Sequence, residues 1–146
     1  MWAPGDKLGP AMRYFGVEDA NRLIPLLTRT FERVRPWVAR AHAIIRELES
    51  LQDAGAGPER TAPLRAERDT LIEKLRAELE ELQELGVELK AADGLVDFRA
   101  LKGGRPVYLC WRYGEPAVSH WHELEGGFAG RQPILHASEF TPSYLS

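Results

Sequence analysis

Residues 107–131, VYLCWRYGEPAVSHWHELEGGFAGR, decide how this chain folds. The one Cys, two of the four His and two of the four Trp fall within these 25 residues, so the structure of this stretch places most of the distinctive chemistry. Apolar residues recur at alternate positions, Val107, Leu109, Trp111 and Tyr113, with Tyr108, Cys110 and Arg112 between them. That period belongs to a strand, whose successive side chains point to opposite faces. Gly114-Glu115-Pro116 breaks the pattern as a turn does, and AVSHWHEL (117–124) continues it. Upstream, Gly103-Gly104 is a two-residue hairpin signal, LVDFRA (95–100) another strand and Asp93-Gly94 another turn, before which Val87 and Leu89 alternate with Glu88 and Lys90. The spacing predicts an antiparallel meander over residues 87–124.

Turn length fixes register. A two-residue turn at Gly103-Gly104 pairs Lys102 with Arg105 and therefore Asp97 with Cys110. A three-residue turn over 114–116 pairs Tyr113 with Ala117 and therefore Cys110 with His120. These registers sort the sheet into an apolar face (Val96, Phe98, Ala100, Val107, Leu109, Trp111, Tyr113, Ala117, Trp121) and a polar one (Asp97, Arg99, Tyr108, Cys110, Arg112, His120, His122). The apolar face is expected to pack on helices. A sheet with one face on a core ordinarily shows water its polar face, and that is the plain reading here. The sharper reading is a metal site, because His120 and His122 on one strand, with Cys110 and Asp97 across the ladder and Glu115 in the turn, offer the N, S and O donors that Zn²⁺ or another divalent transition ion takes.

Other candidates nearby carry less. Arg131 after the Gly-rich run can bind an anion, aided by the amides of residues 126–130, although a salt bridge to Glu123 or Glu125 is the commoner use of such an arginine. GGFAG has the spacing of neither a P-loop nor a dinucleotide fingerprint. Ser119 lacks a nucleophile-elbow context, and a lone Cys is more often inert than activated, even beside a His. His42, next to the helical seam, and His136, in the terminal loop, carry no pattern.

Upstream of the strands the period is helical. Gly16 is placed as an N-cap, with Asp19 three residues on and Phe15 as the outer half of a hydrophobic staple. Ile24, Leu27, Phe31, Val34, Val38, Ala41, Ile45 and Leu48 follow at the 3-4 spacing of a coiled-coil seam, so the first helix is expected to reach about Leu51. Pro25 and Pro36 are each expected to kink it or mark a boundary, Pro25 closing a short first segment. DAGAGPER (53–60) reads as a turn. A second helix opens around Thr61 and Pro63, runs on Leu64, Leu71, Leu75, Leu79, Leu82 and Leu85, and ends at Gly86. Its charge run, Glu73 to Glu84, reads as a solvated face. The first helix outruns the second by more than two turns on this reading, leaving part of its seam to a second copy, and a homodimer through the helices is expected.

The fold expected is α+β: a long antiparallel helix hairpin (15–85) packed on a small antiparallel sheet of three to four strands (87–124), with a covering loop (125–146) and a flexible Pro- and Gly-rich tail (1–11) around one domain. Met12 after that tail is a second possible start of translation. Composition narrows the function: a net charge of −3 and a pI near 5.8 give no broad basic footprint, so nucleic acid is not expected as a partner. Arg99, Arg105, Arg112 and Arg131 still form a local basic set. No apolar stretch is long enough for a membrane span, and one Cys cannot form an internal disulfide, which together point to the cytoplasm.

The blocks FGVEDANRLIPLL, ELGVELKAADGLVDFRA and, above all, VYLCWRYGEPAVSHWHELEGGFAGRQPI resemble a family of small prokaryotic proteins known as domain of unknown function 2203. The likeness covers about residues 14–134. The family's opening usually has Thr or Ser where this chain has Gly16, and Glu where it has Asp19. The resemblance brings no assigned activity. Two functions stand: a divalent-metal-binding protein on the His-rich strand face, and a non-catalytic homo-oligomeric interaction module without metal.

Overall fold

The computed structural model describes residues 13–141. The expected tail at 1–11 and Met12 lie outside them. Three helices come first, α1 (Val17–Arg22), α2 (Ile24–Asp53) and α3 (Pro58–Glu84), followed by strands β1 (Val87–Ala91), β2 (Leu95–Lys102), β3 (Arg105–Arg112) and β4 (His120–His122). Two further strands, β5 (Gln132–Pro133) and β6 (Phe140–Thr141), belong to the same antiparallel sheet. The class is the α+β architecture expected, with helices on a sheet larger than three or four strands, because the covering loop itself supplies β5 and β6.

The helical boundaries follow from the prolines. Gly16 has no side chain with which to cap α1, so only the return half of a capping box forms, the Gly16 amide donating to Asp19 Oδ2 at 3.0 Å. The helix path breaks at Leu23, one residue before α2 opens with Pro25 in its first turn, as expected of a proline whose missing N–H is harmless only there. Pro36 does not mark a boundary; α2 continues through it. The second helix begins at Pro58, not around Thr61 and Pro63, because Gly57 in extended backbone serves as N-cap and puts Pro58 at the favoured first position. As a result α2 and α3 have 30 and 27 residues, and the overhang of more than two turns expected of the first helix is absent. One seam position also differs: Ile44 is fully buried and Ile45 is 39% exposed, since an untwisted helix repeats every 3.6 residues and drifts off a strict 3.5-residue seam.

The central strands take the registers that the turns dictate. Lys102 pairs with Arg105 and Asp97 with Cys110, across a turn whose two glycines have φ of +58° and +84°, the conformation a tight two-residue hairpin requires. Cys110 pairs with His120, although the β3–β4 ladder ends at that pair and the segment between Arg112 and His120 is a loop. That loop is pinned by the Trp111 indole donating to the Glu115 carbonyl at 2.9 Å and by the Val118 amide donating to Asn21 Oδ1 at 2.7 Å. Val96, Phe98, Ala100, Val107, Leu109, Trp111 and Trp121 are buried as the expected apolar face, meeting Phe15, Leu27, Phe31 and Leu82. Phe15 stands edge-on to Phe98, and Phe31 lies against Trp111. A second small core, Ala41, Ile44, Leu48 and Leu71, holds the far half of the hairpin together.

The outer edge of β2 is fully used. β1 pairs with residues 95–98, the Phe15 amide donates to the Arg99 carbonyl at 2.7 Å, and β6 pairs with Leu101 and Lys102. An edge so covered offers no free ladder to another chain.

Candidate functional site

The polar face of the sheet is not wet at its centre. Asp97, Cys110 and His122 are 3%, 1% and 2% exposed, and Tyr108 beside them is also buried. This departs from the plain reading of the face as solvated, and the reason is the segment after β4. The turn over residues 123–126 lies against the His122 Cβ, the Phe128 ring lies against Arg112 and the nearly covered Arg131, and β5 extends the sheet beside β4. None of this cover has a period that sequence could reveal.

Register places the three side chains. Asp97 and Cys110 are directly opposed, and His122 sits on β4 across from Tyr108, diagonal to Cys110. Diagonal neighbours in a sheet lie within reach of a long ring. Cys110 between them is small, so His122 extends over it and brings Nε2 to 3.0 Å from Asp97 Oδ2. One donor atom from each of Asp97, Cys110 and His122 lies within 4.8 Å of the others. The Tyr108 ring, tilted 5.4 Å from the imidazole, backs it, while the Tyr108 hydroxyl donates to Glu88 Oε1 at 2.8 Å.

The protons of this group follow from its partners. His122 Nδ1 lies 2.7 Å from the Glu123 carbonyl, which only accepts, so Nδ1 carries a hydrogen. Nε2 then faces a carboxylate oxygen, and the contact requires one more proton, shared between His122 and Asp97. Burial pushes the Asp97 carboxyl above its ordinary value, against the opposing pull of the hydrogen bond and charge of His122. Burial, with the nearby Asp97 charge, pushes the Cys110 thiol up to about 12, so without a cation Cys110 is a protonated thiol and no nucleophile. Asp97 Oδ1 is buried with no N–H or O–H partner, and the Cys110 thiol beside the carboxylate is a weak donor at best.

The five candidate ligands separate into two groups. Asp97, Cys110 and His122 converge. His120 is half-buried at the end of the row, with Nδ1 3.0 Å from the Ser119 hydroxyl, and is not in the cluster. Glu115 is engaged elsewhere: it accepts from the Arg112 amide at 2.7 Å and from Arg131 Nη2 at 2.9 and 2.7 Å. Arg131 therefore pairs with Glu115, not with Glu123 or Glu125; Glu123 pairs with Arg105. His42 and His136 are exposed. Sequence reasoning passed over Tyr108 and Glu88 as parts of this site, although Glu88 faces Asp97 across the β1–β2 ladder and a strand continued one register further would have placed it there.

No helix among the described residues is long and apolar enough to cross a membrane. In comparison with known proteins, the model of the family described as "Uncharacterized conserved protein (DUF2203)" matches residues 13–134. No curated protein and no solved structure matches the chain.

Proposed function

We propose that this chain, which belongs to the uncharacterised conserved family DUF2203, binds one divalent transition-metal ion, Zn²⁺ being the best suited, through Asp97, Cys110 and His122. The observation that carries the reading is the convergence of three unlike donors, all buried, one of them a carboxylate whose other oxygen, Asp97 Oδ1, has no N–H or O–H partner. A buried unpartnered carboxylate oxygen costs about 1–3 kcal/mol or more, and a cation removes that cost. Ligand atoms on a tetrahedral ion at 2.0–2.3 Å stand about 3.4 Å apart, within what small side-chain rotations reach from the present separations. The imidazole is also poised as metal-binding histidines are, with Nδ1–H held by a backbone carbonyl and Nε2 facing the donors. Metal uptake would displace the proton shared by Asp97 and His122 and the thiol proton of Cys110.

The test is elemental analysis of protein purified without chelator, for the wild type, His122→Ala and His120→Ala. Near-stoichiometric metal in the wild type and His120→Ala, lost in His122→Ala, is the expected result. A metal-free wild type that takes up no Zn²⁺ on dialysis would sink the reading.

A second reading, a homo-oligomeric module, draws support from the far half of the hairpin. Ile45 and Ile72 are exposed there, each one residue beyond a buried seam residue, Ile44 and Leu71. The matched lengths of α2 and α3 remove the original reason for it, since little seam is left over. A monomeric mass by light scattering at micromolar concentration excludes this reading.

A further inference from the structure

Among the described residues, two buried side-chain N or O atoms have no hydrogen-bond partner: Asp97 Oδ1 and Arg131 Nε. Register puts them on one face. β5 pairs with β4 as Trp121 with Gln132 and His120 with Pro133, so one step further sets Arg131 across from His122. Arg131 has the extended backbone this needs, with φ −61° and ψ 142°. Side chains opposed on a ladder share a face, and the Arg131 charge acts on the Cys110 thiol, so Arg131 stands at the Cys110 side of the cluster.

The guanidinium is fixed in place. Its Nη2 donates to both Glu115 oxygens, and its plane carbon lies 4.6 Å from the Phe128 ring centroid. Glu115 is itself held by the Arg112 amide. An acceptor without an N–H or O–H donor and a donor without an acceptor thus lie on one face, on either side of Cys110, whose thiol feels the charge of both side chains. A metal ion satisfies Asp97 Oδ1 but cannot accept from an N–H. Three protein ligands leave a four-coordinate ion one open position, and an oxygen atom there accepts from Arg131.

We propose, on the basis of the metal reading above, that the fourth ligand is an exogenous oxygen ligand, water or a small carboxylate, whose oxygen is held by the Arg131 Nε–H. The charges set its size and type. Two negative protein ligands, Asp97 and the Cys110 thiolate, balance a divalent ion, and Glu115 balances Arg131, so the site has no net positive charge to draw in a multiply charged anion. A large oxyanion such as a phosphate ester is not expected.

Co²⁺ is the probe, since its visible bands report coordination number and its near-ultraviolet sulfur-to-metal band reports Cys110. Wild type, Arg131→Met and Arg131→Lys are each loaded with Co²⁺ and titrated with acetate. Arg131→Lys keeps the charge opposite Glu115 and removes Nε, and retention of the sulfur band with unchanged far-ultraviolet circular dichroism establishes that each variant is folded and loaded. Acetate that shifts the wild-type bands, and does so at least tenfold more weakly in both variants, supports a small carboxylate. Bands that ignore acetate but differ between wild type and both variants support water. Bands that ignore acetate and are the same in all three proteins overturn the proposal while leaving the metal reading standing. A wild type that binds no Co²⁺ overturns both.

Discussion

His122 and Cys110 do different work within one contact. The imidazole is tied at both nitrogens, to a backbone carbonyl and to Asp97, whereas the thiol is buried beside a carboxylate and stays protonated. In the metal-free protein, removal of the ring by His122→Ala strands the Asp97 carboxyl in a buried site. A loss of about 3–5 kcal/mol is expected in urea unfolding with chelator present. His120→Ala, at the half-open end of the row, is expected to change stability by no more than about 0.5 kcal/mol in the same assay. The thiol gives a pH dependence. Cys110 is raised from 9.0 to about 12 and Tyr108 from 10.0 to about 12, both chiefly by burial, with Asp97 and Glu88 adding to it respectively. Each group is thus deprotonated first in the unfolded chain. Their contribution to stability is complete below pH 9 and is lost as pH rises from 9 towards 12. Metal-free Cys110→Ala is expected to show a shallower fall over that window in urea midpoints. An equal slope in wild type and variant would contradict the buried-thiol assignment.

The elements show which features of the fold were legible. Turn chemistry fixed the register of β2 with β3, because a period of two leaves no room for a one-residue slip once Trp111 must face inward; Cys110 pairs with His120 as expected, but across a loop over 113–119 in which the expected Tyr113–Ala117 pair does not form. The helical period told less. A 3-4 pattern fits both a 3.5- and a 3.6-residue repeat over a few turns, and Ile44 and Ile45 are chemically identical, so only packing distinguishes them. Ile44→Ala is expected to cost about 2–5 kcal/mol and Ile45→Ala less than about 1 kcal/mol in denaturant unfolding. Strands β5 and β6 were illegible, since two residues cannot display alternation and their surroundings are rich in Gly and Pro. The triad was half legible for a related reason. Register gives rows, and the row contains His120; reach across a diagonal depends on ring length and on how small Cys110 is. Gly94 joins β1 to β2 at φ +125°, with its carbonyl accepting from the Tyr113 amide at 2.7 Å and no space for a Cβ against Tyr113 Cβ. Gly94→Ala is expected to destabilise by more than about 1 kcal/mol, whereas Gly103→Asn, at an open left-handed position, is expected to be nearly neutral in thermal melts.

For the whole molecule, the sheet has two unlike faces, one a hydrocarbon core shared with the helices and the other a small polar centre roofed by a loop. The roof makes the second face a candidate site instead of a wetted surface, and it is drawn from the least patterned part of the chain. The outer edge of β2 has a different consequence. Phe15 is hydrogen-bonded at Arg99, and Thr141 pairs with Leu101, two residues further along the same strand. The two ends of the described chain are therefore stitched to one strand about 7 Å apart along its axis. Such a chain can be rewired. A circular permutant joined from residue 141 back to residue 13 by a few flexible residues, and opened at the exposed Gly55 between α2 and α3, crosses no buried connection. It is expected to refold with the circular dichroism spectrum of the parent, its order of synthesis putting the sheet before the long helix that covers it.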